Sequence, residues 1–169
     1  AFMAKLRNAD GISALALEFA ILNASRTGEV LFGLRSEVHG NVWTIPGIRM
    51  KAGQPHQVPL CQRSLDLLLI AESMDSGSKY LFSRNGKPLS NMAMLMMVRR
   101  MQAGLTVHGF RSTFRDWVCH DSRYCGLVSS ATLRTTTWFS RVRFTVVACT
   151  RDRFVVNNHS TTSTDLARL

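Results

Sequence analysis

Tyrosine is nearly absent from this chain: its 169 residues hold two, Tyr80 and Tyr124. Acidic residues are also scarce. Eleven stand against 21 lysines and arginines, which leaves a formal net charge of +10. Such an imbalance favours a polyanionic partner, and nucleic acid is the commonest one. No basic amphipathic helix stands out, which disfavours a membrane-surface role. No apolar run approaches the roughly 20 residues needed to span a bilayer. No secretory signal stands at the start, so the cytoplasm is the expected location. Cys61, Cys119, Cys125 and Cys149 form no CxxC pair, which argues against structural zinc. His120 beside Cys119, with Cys125 close by, is a weak metal candidate; free thiols in a reducing compartment are expected instead. The expectation is therefore a protein with no metal, no cofactor and no small-molecule substrate.

What is present is a globular composition, with 46% hydrophobic residues and length enough for one domain with a core. Asp10 reads as the N-cap of a helix whose Ile12, Leu15, Ala16, Phe19 and Leu22 form a buried stripe. Ser25 reads as the cap of a second, short helix through Arg26 and Glu29 to Leu34. From about residue 36 to residue 60, β-branched and aromatic residues alternate with turn formers, which predicts a small antiparallel sheet. Helical spacing returns at Leu65, Leu68 and Leu69, YLFS is briefly extended, and RNGKPLS is a loop. Its Ser90 is placed to cap a helix whose Met92, Leu95, Met96 and Arg99 share one face, read as adaptable core packing. The fold class is thus mainly α with a small antiparallel sheet, α+β.

The segment HGFRSTFRDW, residues 108 to 117, carries the chemistry. On a helix starting near Val107, His108 and Arg111 lie one turn apart, with Arg115 a turn further on. Phe110, Phe114 and Trp117 take another face and should be buried. Guanidinium groups offer parallel donors to anionic oxygens, so the exposed face suits a phosphate, though HxxR alone also fits a solvated basic face. Upstream, ASRTGEV sets Glu29 one turn after Arg26, and RMKAGQPHQVPL puts Lys51 at the tip of a strand pair.

The order ASRTGEV, VWTIPGIRMKAGQPHQVPL, YLFS, KPLSNMAM and TVHGFRSTFRDW resembles the catalytic domain of tyrosine recombinases, in particular phage and genomic-island integrases. The resemblance covers roughly residues 1 to 118. It implies that Arg26 and Arg111 grip the scissile phosphate and that Glu29 braces Arg26. It also implies that Lys51 protonates the leaving 5′ hydroxyl and that His108 assists proton transfer. The implied reaction is metal-free phosphoryl transfer to a tyrosine, with double-stranded DNA and other recombinase protomers as partners.

The family's nucleophile has no counterpart here. Tyr80 lies upstream of HxxR and Tyr124 too closely behind it, and neither His120, His159 nor Trp138 has the context of the family's downstream histidine or tryptophan. The resemblance stops where composition changes: from Val128 to Leu169 there is no lysine and no glutamate. Such a break can mark a domain boundary, a disordered tail or a reading-frame change, and the last is favoured. The expected organisation is an incomplete integrase-type catalytic domain at residues 1–127, its C-terminal helices lost, followed by a divergent tail at 128–169. The expected function is that of a site-specific recombinase fragment, inactive because the nucleophilic tyrosine is missing, so that its standing as an enzyme is left open. The alternatives are a non-catalytic DNA-binding remnant and a pseudogene product without a role.

Overall fold

Helix α2 (Ile12–Leu22) is the axis on which the rest assembles. A computed structural model describes residues 2–50 and 53–120, with side chains as far as Phe114. Ile12, Ala14, Ala16, Leu17, Phe19, Ala20 and Leu22 are all buried, so α2 carries no single stripe. It touches α1 (Phe2–Arg7), α3 (Thr27–Leu31), α4 (Gln62–Met74), α5 (Ala93–Met101) and α6 (Val107–His120). Its alanines allow those neighbours to approach, and a helix apolar on most sides is a buried one. Asp10 is not its cap. Gly11 takes that position at φ 100, a backbone that glycine adopts without strain, and no side chain caps the helix.

The one charge on α2 is Glu18, which is only 2% exposed. It accepts Arg7 Nε of α1 at 3.1 Å, and Arg63 Nε and Nη2 of α4 at 3.0 and 2.8 Å. Both carboxylate oxygens are therefore paired, the condition under which a buried charge is tolerated. The same contacts clip α1 and α4 to the central helix.

The expected sheet is present. Strands β1 (Val38–His39), β2 (Val42–Ile45) and β3 (His56–Pro59) pair antiparallel in that order, with Trp43 opposite Val58 and Ile45 opposite His56. Alternation turns Trp43 and Ile45 fully inward. Trp43 meets Phe19 of α2 with ring centroids 5.5 Å apart, and Phe82 meets Phe19 from another side at 5.3 Å. These three buried rings dock the sheet on the helices.

The RNGK segment folds into a hairpin, β4 (Ser83–Arg84) with β5 (Lys87–Pro88). Asn85 and Gly86 have φ of 55 and 72, the two left-handed residues of a tight hairpin turn. Asp75, at the end of α4, accepts Ser83 Oγ at 2.6 Å and the Gly86 N–H at 2.9 Å.

Helix α5 is where the expected core face fails. Met94 and Val98 are buried with Met97 and Met101 packed beside them, while Met92 and Met96 are 47% and 40% exposed. The helix starts at Ala93, whose N–H is taken by the Ser90 carbonyl at 3.0 Å and not by its hydroxyl. Docking against α2 then selects the neighbouring methionines. Cys61 is disulfide-bonded, against the expectation of a free thiol. Among the described residues no helix is long and apolar enough to cross a membrane.

Candidate functional site

Arg26 stands at the N-cap of α3, one residue later than the cap expected at Ser25. Ser25 Oγ instead reaches the Asn23 carbonyl at 3.4 Å. The Glu29 carboxylate does the capping: Oε2 accepts the Arg26 backbone N–H at 2.8 Å, and Oε1 accepts Arg26 Nη1 at 2.5 Å. One acid thus holds both the start of the helix and the guanidinium. Glu29 is buried whereas the Arg26 side chain is 47% exposed, so the pair presents its cation outward.

Arg111 enters from α6. Its Nη1 donates to the carbonyl of Ala24, two residues before Arg26, across a separation of 87 positions. Ala24 has φ 46, a left-handed conformation that costs a residue with a side chain. The fold therefore brings Arg26, Glu29 and Arg111 to one loop. His108 lies one turn before Arg111 on the same helix and is exposed. Phe110 is half-buried, stacked at a tilt on Phe2 of α1 with centroids 4.9 Å apart, and this contact steadies the helix beneath the two polar residues. Lys51 lies outside the described residues, as do Tyr124 and the side chains of Arg115 and Trp117. Tyr80 has other surroundings: Lys79 Nζ sits 5.3 Å from its ring, and its carbonyl accepts Arg35 Nε at 3.1 Å.

His56 is a member of this group that the motif reading passed over. Burial holds its pKa below the ordinary value; Glu29 pulls it up, and Arg111 and Arg26 push it down. The imidazole is thus within electrostatic range of all three. The available signal was strand alternation, which puts His56 on the face of buried Val58.

With its pKa depressed, His56 is neutral in the fold when the unfolded chain has begun to take up a proton. Its contribution to stability is complete above about pH 6.5 and is lost as pH falls further, through the folded value. Thermal melts from neutral pH to about pH 5 should therefore show a shallower acid loss for His56→Gln than for the native chain. Parallel curves would show that His56 does not contribute.

Chemically, two fixed guanidinium groups beside an imidazole form a receptor for a tetrahedral oxyanion and can stabilise charge on its oxygens. Among the described residues no three of histidine, cysteine, aspartate and glutamate stand close enough to hold a metal ion.

No protein-family model matches the chain. A prophage integrase of Escherichia coli (strain K12), IntZ, is 33% identical over 116 residues, which cover 64% of this chain and 29% of that protein. Among solved structures, lambda integrase (residues 75–356) bound to DNA superposes with a TM-score of 0.55 at 17% identity, over 85% of this chain and 58% of that one. The lambda integrase catalytic core gives 0.51 at 18% identity, over 66% and 73%. The architecture is thus the α+β fold of an integrase catalytic domain, as the sequence predicts. The chain is similar in sequence to a prophage integrase and in fold to the lambda integrase catalytic domain. It spans less than a third of the length of its curated relative.

Proposed function

We propose that the chain is a portion of a site-specific DNA recombinase, acting in DNA strand breakage, rejoining and integration, that retains the phosphate grip and lacks the attacking hydroxyl. The observation that carries this reading is the Arg111 guanidinium bonded to the loop that delivers Arg26. In this reading Arg26 and Arg111 hold the scissile phosphodiester, Glu29 braces Arg26, and His108 assists proton transfer. Lys51 is the general acid. Residues 1–127 form the recombinase unit, and 128–169 are a divergent segment outside it. Double-stranded DNA is the partner, with other recombinase protomers beside it. Neither Tyr80 nor Tyr124 is assigned as nucleophile, so the chain binds DNA without cleaving it.

Binding should be backbone-directed and sensitive to salt. If about five phosphates are neutralised, log K for a duplex falls against log salt with a slope near −4.5. Fluorescence anisotropy of a labelled duplex at several salt concentrations measures it. A flat response would remove DNA as the partner. The net charge of +10 also supports a purely DNA-binding remnant; that second reading predicts the same slope with no weakening on Arg26→Ala.

A further inference from the structure

Arg49 ends a single helical turn, Gly47–Arg49, in the connection from β2 to β3. That turn is folded tightly back on the chain: a Cβ on Gly47 would lie 2.3 Å from the Gly53 carbonyl oxygen. From there the Arg49 side chain, 21% exposed, runs inward. Its Nη1 donates to the backbone carbonyl of Glu29 at 3.2 Å, and its Nη2 pairs with Glu37 Oε2. The same Glu37 oxygen accepts Trp43 Nε1 at 3.1 Å and the Leu34 N–H at 3.2 Å. A single guanidinium thus joins the β2–β3 connection, the buried acid beneath Trp43 and the middle of α3.

We propose that Arg49 is a positioning residue for the phosphate grip, anchoring α3 through the Glu29 carbonyl so that the Glu29 carboxylate holds Arg26 in place.

Two features favour this over plain packing. The Arg49 Nε is buried with no hydrogen-bond partner among the described residues. A buried N–H left without an acceptor is unfavourable, and an apolar side chain would fill the same space without that penalty. A guanidinium at this position is therefore a poor choice for stability alone, but it is the only side chain type whose fork reaches two acceptors on different elements. The second feature is the choice of acceptor. Arg49 bonds the backbone of the very residue whose carboxylate both caps α3 and grips Arg26. Moving α3 relative to the sheet would displace that carboxylate and its arginine together. The Arg49 guanidinium is committed to the Glu29 carbonyl and Glu37, so it acts through Glu29.

The inference rests on the reading of Arg26 as a phosphate ligand, so its test has one arm that needs DNA and one that does not. Both use the full 169-residue chain and three backgrounds: native, Arg49→Met, and Arg49→Met with Glu37→Gln. The double substitution leaves no buried unpaired charge and keeps an acceptor for Trp43, which restores folding if Arg49→Met alone is unstable. In the first arm, the titration of the His56 imidazole is followed by proton NMR. His56 senses Glu29 and Arg26, so its midpoint should move in both variants, including the one whose stability is restored. In the second arm, Arg26→Ala is introduced in each background and duplex affinity is measured at low salt. A loss of about fivefold is expected in the native background and less than about twofold in the other two, because a misplaced arginine has little left to lose. Unchanged His56 titration together with an undiminished Arg26→Ala effect, alongside a lowered melting temperature, would overturn the proposal and leave Arg49 a packing residue. If Arg26→Ala has no effect even in the native background, the phosphate-grip reading fails, and the His56 arm alone decides whether Arg49 positions Glu29.

Discussion

Incubated with a nicked suicide duplex, which traps covalent intermediates, this chain should form no protein–DNA adduct. Strand exchange without metal or ATP requires a hydroxyl that attacks phosphorus and stores the bond as an ester. Phosphate ligands cannot replace it. Groups that act as one catalytic unit are strongly non-additive, and deleting a nucleophile alone removes on the order of a millionfold in rate in the best-measured case. Tyr80 has the Lys79 ammonium by its ring and Arg35 on its carbonyl. The expected gel therefore shows duplex shifted by binding in native conditions and no shifted band after denaturation. A denaturant-resistant band would refute the inactivity. Mapping it to Tyr80 or Tyr124 would then identify the attacking residue.

The largest expected effect on stability is at Phe19. Phe19→Ala should cost about 3–5 kcal/mol, the usual range for removing a buried phenyl ring. Against a typical domain stability of about 5–15 kcal/mol, that is a third or more of the whole. The ring is fully buried and touches both Trp43 of the sheet and Phe82, so a cavity there separates the sheet from α2. Urea denaturation gives the measurement. Phe32→Ala, at a side chain 47% exposed, is the control and should fall within about 0.5 kcal/mol of the native chain. A Phe19 variant as stable as that control would mean that the aromatic cluster does not join the two layers.

The fold class and the sheet were legible because turn formers bracket alternating residues between positions 36 and 60, a local pattern. The phase of α5 was not. Five methionines and leucines in a nine-residue helix, Ala93–Met101, leave several apolar faces, and packing against α2, with α1 and α6 beside it, chooses Met94 and Val98. The caps at Asp10 and Ser25 were misplaced for a related reason. The preferred residue types are present, but Gly11 and the Glu29 carboxylate satisfy the chain instead. At the site, the Arg26–Glu29 pair follows from a spacing of three on a helix. Arg111 reaching Ala24 does not follow from any spacing, since the fold alone joins positions 87 apart. His56 and Arg49 lay within the hairpin segment; strand alternation puts His56 on the face of Val58, but nothing local marks Arg49 or says what either residue meets. Their roles depend on what α3 and α6 bring to the other side of the sheet.

The Phe2–Phe110 stack makes the chain's opening helix a prop for the arginine one position beyond Phe110. Fraying at that end, by proteolytic nicking or a bulky purification tag, would loosen the seating of Arg111 against Ala24. Weak DNA affinity in such a preparation would reflect a lost buttress and not a missing ligand.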